Sequence, residues 1–399
     1  MNTAYIIDII RTPIGKYGGS LSMVRPDDLA AHVIRQLVER NSWMDLNLIE
    51  DVIFGDANQA GEDNRNVARM ASLMAGLPIE TGGVTVNRLC ASGLQSIMDV
   101  SRAVMLGEGS IYIAGGVESM SRAPYVMGKP EYAFSRKVQT FDSTIGWRFT
   151  NPKLADQYYP YSMGETAENV AEKWKISRQQ QDDFAFNSQS RYQKAHQQGK
   201  FQAEIVPVHI PQKKGDALVF DKDEHPRLSS VEILGSLKPA FKKNGSVTAG
   251  NSSGINDGAA ASLVVNEEIV KQYDLTPKAR IITMAIAGVS PDCMGIGPVP
   301  ATQKALKRAG LKIADLDLIE LNEAFASQSL ACIQDLDLDP EKVNVNGGAI
   351  ALGHPLGASG TRLSATLIHE MQKRKNVNYG LATMCIGVGQ GAAIIYEKC

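Results

Sequence analysis

Two stretches of this chain repeat each other in order, and that repeat constrains the fold more than any single motif does. Leu48-Ile49-Glu50-Asp51-Val52-Ile53-Phe54-Gly55 is echoed by Asp315-Leu316-Asp317-Leu318-Ile319-Glu320-Leu321-Asn322, and Val84-Thr85-Val86-Asn87 by Val343-Asn344-Val345-Asn346. Recurrence in the same order points to a duplicated structural unit; chance likeness of two generic strand-helix units is the alternative. Each copy sits in an alternation of short β-branched runs and amphipathic stretches. Strands are expected over 5–10, 51–55, 84–87 and 111–114, and helices over 27–39 and 66–77. A further helix follows Cys90, where Leu94, Ile97, Met98, Val104 and Met105 recur at helical spacing until Gly107 and Gly109. From Ala279 the alternation resumes, with strands over 280–287, 317–321 and 343–346 and a helix over 301–309. Such a pattern predicts a parallel sheet covered by helices.

Between the copies the pattern breaks. Prolines, tyrosines and isolated basic residues run irregularly from Ser121 through Tyr161, followed by helices over 165–174 and 177–198. The second opens on Ser177-Arg178-Gln179-Gln180, a capping-box spacing, and is expected to bury Phe184, Ser188, Tyr192 and Ala195 on one face. The expected organisation is a first half over 1–120, completed from about 250–270, an inserted segment over 121–249, and a second half over 271–399. A duplication brings equivalent strand ends together, and ligands of open α/β sheets bind at the carboxyl ends of strands.

Composition narrows the function classes. At 399 residues the chain has ample core, and 44% apolar with 21% charged residues describes an ordinary globular protein. Lys plus Arg is 41 against 43 Asp plus Glu, so nucleic acid is not an expected partner. No apolar run approaches the ~18 residues of a membrane helix, and the first residues lack a basic stretch followed by a long apolar one. The expected compartment is the cytoplasm. Five cysteines without a Cys-x-x-Cys pair argue against a disulfide framework or a zinc ribbon, and no metal site is expected.

Four segments can carry chemistry. Cys90, in Asn87-Arg88-Leu89-Cys90-Ala91-Ser92-Gly93, lies where a strand hands over to a helix, and a helix N-terminus favours thiolate and lowers a thiol's pKa. The alternative is a packed thiol, although the small residues after it allow a ligand close approach. The run from Asn346 to Gly360 holds five glycines around His354, a base suited to neutral pH, without a phosphate-loop Gly-Lys or a Gly-x-Gly-x-x-Gly fingerprint. Cys385 precedes Gly387-Val388-Gly389, a turn whose backbone N–H groups can hold an oxyanion. Asn322 follows a strand and either orients a water or caps a helix.

These segments together resemble the thiolase family over essentially the whole chain, through 87–93, Gly115-Gly116-Val117-Glu118-Ser119-Met120, Asn322-Glu323-Ala324-Phe325, Asn346-Gly347-Gly348 to Gly353-His354-Pro355, and Cys385-Ile386-Gly387. The resemblance implies an α/β thiolase fold of duplicated layered halves (αβαβα), with an inserted loop domain over coenzyme A, assembled as a homodimer or homotetramer. It implies acyl transfer with CoA as cosubstrate, an acyl-CoA as the other partner, and no permanently bound cofactor. Carried onto this chain, Cys90 is the nucleophile, His354 its base and Cys385 the acid that protonates the departing carbanion. Asn322 would hold a water beside His354, and Gly387 with Cys90 would supply oxyanion N–H groups. Met163, Phe241, Ala249 and Ser253 would line the pantetheine arm, and Arg227 the nucleotide end.

The acyl group is a separate question. Family members acting on acetoacetyl-CoA often have His before Met-Gly, where this chain has Ser162-Met163-Gly164. The runs 133–149, 210–216 and 223–227 are similar to those of thiolases that cleave 3-oxoadipyl-CoA. A dicarboxylic chain needs a cation for its far carboxylate, and Arg136 and Arg148, with Phe325 in the acyl pocket, are the expected residues. The alternatives are a general fatty-acid 3-ketoacyl-CoA thiolase, an acetyl-CoA C-acetyltransferase, or an inactive CoA-binding protein. A condensing synthase would need a second histidine where Cys385 stands.

Overall fold

The structure, a computed structural model, describes residues 2–130 and 132–399. The chain opens with β1 (Tyr5–Arg11), the two-residue β2 (Gly15–Lys16), α1 (Pro26–Arg40), β3 (Ile49–Gly55), α2 (Val67–Met74), β4 (Gly82–Val86), α3 (Ser92–Leu106) and β5 (Ile111–Ser119). After β5 come two small hairpins, β6 (Tyr125–Met127) with β7 (Thr140–Asp142) and β8 (Val208–Ile210) with β9 (Leu218–Phe220). Around them lie α4 (Pro152–Gln157), α5 (Met163–Lys173), α6 (Arg178–Gln197) and α7 (Val231–Ser236). The chain rejoins the main sheet as β10 (Asn256–Val265), then runs α8 (Glu267–Gln272), β11 (Ala279–Gly288), α9 (Pro298–Ala309), β12 (Leu318–Leu321), α10 (Ala326–Leu336), the single turn α11 (Ala349–Leu352), α12 (Leu356–Lys373), β13 (Tyr379–Ile386) and β14 (Gln390–Lys398).

Local chemistry explains the elements that matter for function. In α1, Pro26 sits in the first turn beside Asp27 and Asp28 while Arg40 closes the last, each charge opposing the nearer end of the helix dipole. Capping boxes start α5 (Ser162 with Glu165) and α6 (Ser177 with Gln180). On α6, Ser188, Tyr192 and Ala195 are buried as the spacing predicts; Phe184 is only half-buried, and Ala185 takes its place inside.

The main sheet runs β12-β13-β14-β11-β1-β10-β5-β3-β4. It divides at β1 and β11 into two sets with one order: β4-β3-β5-β10-β1 on one side and β12-β13-β14-β11 on the other, with Val343 bridged in parallel to Ile319 where the second set has its counterpart of β4. The expected all-parallel sheet is corrected to a mixed one. Pairing is parallel only at β4-β3-β5 and β12-β13, and antiparallel elsewhere. The cause is local for β14, because the three-residue turn 387–389 can return the chain only antiparallel to β13. The expected strand over 343–346 is also corrected. Asn344 has φ +46° and turns the chain out, while its side chain accepts from Leu321 N (2.9 Å) and donates to Leu321 O (2.8 Å), standing in for a strand's backbone.

Three apolar clusters give five layers. The outer faces are covered by α1 and α2 on one set and α9 and α10 on the other. Between the sets lies a core of α3 and α12, with Ile97, Met98, Ile368 and Met371 fully buried. The two helices touch backbone to backbone: a Cβ on Gly93 would lie 2.6 Å from Gly357 O, and one on Gly360 2.1 Å from Leu94 N. Among the described residues no helix is long and apolar enough to cross a membrane.

Candidate active site

Cys90 stands on a strained turn between β4 and α3. Leu89 has φ +47°, a left-handed conformation that costs a non-glycine residue about 1–3 kcal/mol and is kept only where the surroundings fix it. Here Ser92 Oγ accepts from Arg88 N (2.9 Å) and donates to Leu89 O (2.6 Å), and Asn87 Oδ1 accepts from Leu89 N (2.9 Å). Arg88 then clamps the turn to the other sheet set, its Nη1 donating to Gln390 Oε1 (2.8 Å) at the start of β14. The turn lifts the thiol toward the backbone N–H groups of Gly387 and of Cys90 itself, the two expected oxyanion donors.

The helix N-terminus does not lower this thiol's pKa as the sequence suggests. Burial outweighs the two N–H groups and pushes it up to about 11, with the Glu118 carboxylate adding to the rise. Cys385, buried near the end of β13, is raised well above the ordinary thiol range by burial and by its proximity to Cys90. Both sulfurs are therefore neutral thiols at pH 7, and attack by Cys90 requires a base.

His354 carries an imidazole whose free-base form can accept a proton. Its Nδ1 lies 2.6 Å from Ser359 Oγ, whose hydroxyl donates to Pro355 O (2.9 Å). With that hydroxyl's proton committed, Nδ1 carries the ring proton and Nε2 is left as the acceptor. Nε2 lies 3.4 Å from Asn322 Nδ2, and His354 N donates to Asn256 Oδ1 (2.9 Å), fixing the backbone. Burial, helped by the enclosed Arg362 guanidinium, lowers the imidazole's pKa to about 3. Asn322 joins this group to the thiols because its N–H bonds Thr383 O (3.0 Å) on β13, two residues before Cys385. Its Oδ1 is buried without a partner among the described residues, which leaves an acceptor beside the base.

A cavity of about 340 Å³ opens onto Cys90. Leu89, Glu118, Trp147, Arg148, Tyr161, Met163, Leu356 and Gly387 are among its walls. Arg148 thus shares a cavity with Cys90, whereas Arg136 is exposed and outside the lining. Phe325 packs with Cys385 and Met163, and the Phe241 ring meets it edge-on at 6.2 Å. Ser253 N bonds Ala324 O (3.0 Å), and Arg227 Nη2 bonds Ala249 O (2.6 Å). The residues expected at the coenzyme therefore form two contacting groups, Met163, Phe241 and Ser253 around Phe325, and Arg227 with Ala249.

Several participants escape sequence reasoning. Ser359 lies within the glycine-rich run, five residues after His354, where an i to i+5 partner is legible only once a helix start is known. Glu118 belongs to the Gly115–Met120 motif, whose residues carry no individual signal of a role. Its carboxylate accepts from Ala57 N (3.0 Å), Asn58 N (3.2 Å) and Gly357 N (2.8 Å), and burial pushes it up to about 7. Trp147 lies in the 133–149 run without a role of its own, and Asp56 and Arg362 gave no sequence signal.

The site combines two neutral thiols, a neutral imidazole whose Nε2 is an acceptor, and converging N–H donors beside a cavity. Comparison with known proteins points the same way. A family model described as "Thiolase, N-terminal domain" matches residues 4–268, and one described as "Thiolase, C-terminal domain" matches 275–398. A 3-oxoadipyl-CoA/3-oxo-5,6-dehydrosuberyl-CoA thiolase of Escherichia coli (strain K12) is 57% identical, with 100% of both chains covered. A beta-ketoadipyl-CoA thiolase of Acinetobacter baylyi is 55% identical with the same coverage. The crystal structure of human mitochondrial 3-ketoacyl-CoA thiolase in complex with CoA superposes with a TM-score of 0.92 at 41% identity, over 100% of this chain and 98% of that one.

Proposed function

The chain belongs to the thiolase family, and on that premise we propose that it cleaves 3-oxoadipyl-CoA with CoA to succinyl-CoA and acetyl-CoA. The observation that carries the chemistry is Cys90 and the Gly387 N–H meeting at one cavity, with Cys385 buried next to Cys90 and Asn322 tying His354 to β13, the strand that carries Cys385. The choice of acyl group rests on full-length relatives at 55–57% identity whose names specify that substrate.

In the first half-reaction Cys90 Sγ attacks the C3 carbonyl carbon and gives its proton to His354 Nε2. The oxyanion that forms is met by the N–H groups of Cys90 and Gly387. Collapse re-forms the carbonyl and breaks the C2–C3 bond; the carbanion at C2 takes the Cys385 proton and leaves as acetyl-CoA. Cys90 now carries a succinyl thioester, Cys385 is a thiolate and His354 is protonated. In the second half-reaction the thiol of CoA passes its proton to Cys385, and its sulfur attacks the thioester. Succinyl-CoA departs as Cys90 takes back the proton from His354. Each charge that arises is met by donors already fixed in place, which cost no reorganisation during the reaction.

Arg227 and Ala249, with Ser253, Phe241 and Met163, are the residues we assign to the coenzyme. The aromatic and thioether surfaces suit the apolar stretches of the pantetheine arm, and the guanidinium suits a phosphate.

The experiment is turnover of 3-oxoadipyl-CoA, acetoacetyl-CoA and an unbranched 3-oxoacyl-CoA series with free CoA, with products identified by mass. Succinyl-CoA and acetyl-CoA in equal amounts, with the highest kcat/KM on 3-oxoadipyl-CoA, is the expected result. A higher kcat/KM on a monocarboxylic chain would overturn the substrate and leave the thiol chemistry standing.

A further inference from the structure

A dicarboxylic acyl chain brings a second charge into the cavity, and a carboxylate leaving water needs a cation or several N–H donors in exchange. Among the described residues that line the cavity beside Cys90, Arg148 is the one that carries a positive charge. Its guanidinium has no carboxylate partner there. Nη1 donates to Ser143 O at 3.4 Å and Nη2 to Asn58 O at 3.3 Å, two long bonds to neutral carbonyls that leave further N–H groups free.

The loop holding Arg148 is fixed before any ligand arrives. Trp147 Nε1 donates to Tyr161 O (3.0 Å), Ser143 Oγ to Pro124 O (2.6 Å), and Asn58 Nδ2 to Ser143 O (3.0 Å). Gly146 (φ +90°) and Phe149 (φ +51°) turn the backbone on either side. A cation held this way loses little freedom on binding. The one carboxyl among the described lining residues, Glu118, is engaged by three backbone N–H groups and is not paired with Arg148.

Resting on the reading above, we propose that Arg148 binds the terminal carboxylate of the acyl chain and so selects dicarboxylic over monocarboxylic 3-oxoacyl-CoA. In 3-oxoadipyl-CoA the carboxyl carbon lies three bonds beyond C3, the atom that Cys90 attacks. The selecting cation must therefore share the nucleophile's cavity, as Arg148 does. Arg136, exposed and outside the lining, does not meet that condition.

The test compares kcat/KM for 3-oxoadipyl-CoA and 3-oxohexanoyl-CoA, which replaces the terminal carboxylate by a methyl group, in the wild-type protein, Arg148→Ala and Arg148→Lys. Both substrates meet the same molecules, so each ratio is independent of the fraction folded. The expected result is a wild-type ratio well above one that falls roughly 10- to 100-fold in Arg148→Ala, mainly through KM for the dicarboxylate, with Arg148→Lys intermediate. A wild-type ratio near or below one overturns the substrate reading, and the role of Arg148 falls with it. A high wild-type ratio that Arg148→Ala leaves unchanged overturns the role of Arg148 alone.

Discussion

The two sheet sets share a strand order but not a chemistry. Gly55 pairs with Gly116 across β3 and β5, and Leu321 pairs with Thr383 across β12 and β13. Counting forward from those pairs, Asp56 corresponds to Asn322 and Glu118 to Cys385. Likewise Cys90 leads into α3 and His354 into α12, the two helices that touch at their glycines. One set thus offers a thiol backed by carboxyls, and the other an imidazole backed by an amide and a thiol. Burial raises Cys90, Cys385, Asp56 and Glu118 and lowers His354. Every one of these shifts favours the neutral form, so a repeated scaffold with divergent side chains has produced two thiols and an imidazole that rest neutral.

That comparison can be broken in several places. Cys90→Ser should have the largest effect, a loss of roughly 10⁴-fold or more in kcat, with no acyl group found on residue 90 by intact mass after mixing with 3-oxoacyl-CoA. Asn322→Asp writes the first set's residue into the second. It removes the N–H donor beside His354 Nε2 and should lower kcat about 10²- to 10³-fold; retention of wild-type kcat would remove Asn322 from the mechanism.

The neutrality of the Cys90 thiol is tested by pH. With its pKa near 11, the thiolate fraction of Cys90 rises as pH rises and does not level off near neutrality. Alkylation of Cys90 by iodoacetamide, followed at its own peptide, should therefore quicken about tenfold per pH unit between pH 7 and 9. A plateau near pH 7 would reveal a Cys90–His354 ion pair instead. The smallest effect is structural: Gly360→Ala drives a Cβ against Leu94 N and should cost about 1–3 kcal/mol, read as a lower urea midpoint.

The repeat of 48–55 in 315–322 made the duplicated architecture legible, but residue for residue it is one position out of register: the strand pairs match Gly55 with Leu321, where the sequence match sets Gly55 against Asn322. The second repeat misled at 343–346: its valines fit a strand, but Asn344 turns the chain and bonds Leu321 through its side chain, which periodicity does not register. Sheet direction was hidden for a related reason, since a fully buried strand reads alike in parallel and antiparallel ladders. At the site, Cys90, His354 and Cys385 stood out by motif. The direction of the Cys90 shift did not, because a helix N-terminus is visible in sequence and the burial that overrides it is not. Arg136 and Arg148 looked equivalent on paper, and only the cavity separates them.

The sheet order also sets a problem in time. β1, the first strand made, lies between β10 and β11, and neither neighbour exists until the chain has passed residue 256. At ribosomal speeds its two edges stay unpaired for roughly ten to fifty seconds. Amide exchange on stalled nascent chains should find Ile6–Ile10 unprotected until β10 has emerged. A strand of that composition with both edges bare invites pairing with other chains, so the feature that joins the two sets in the finished molecule makes its synthesis a race between late self-completion and aggregation.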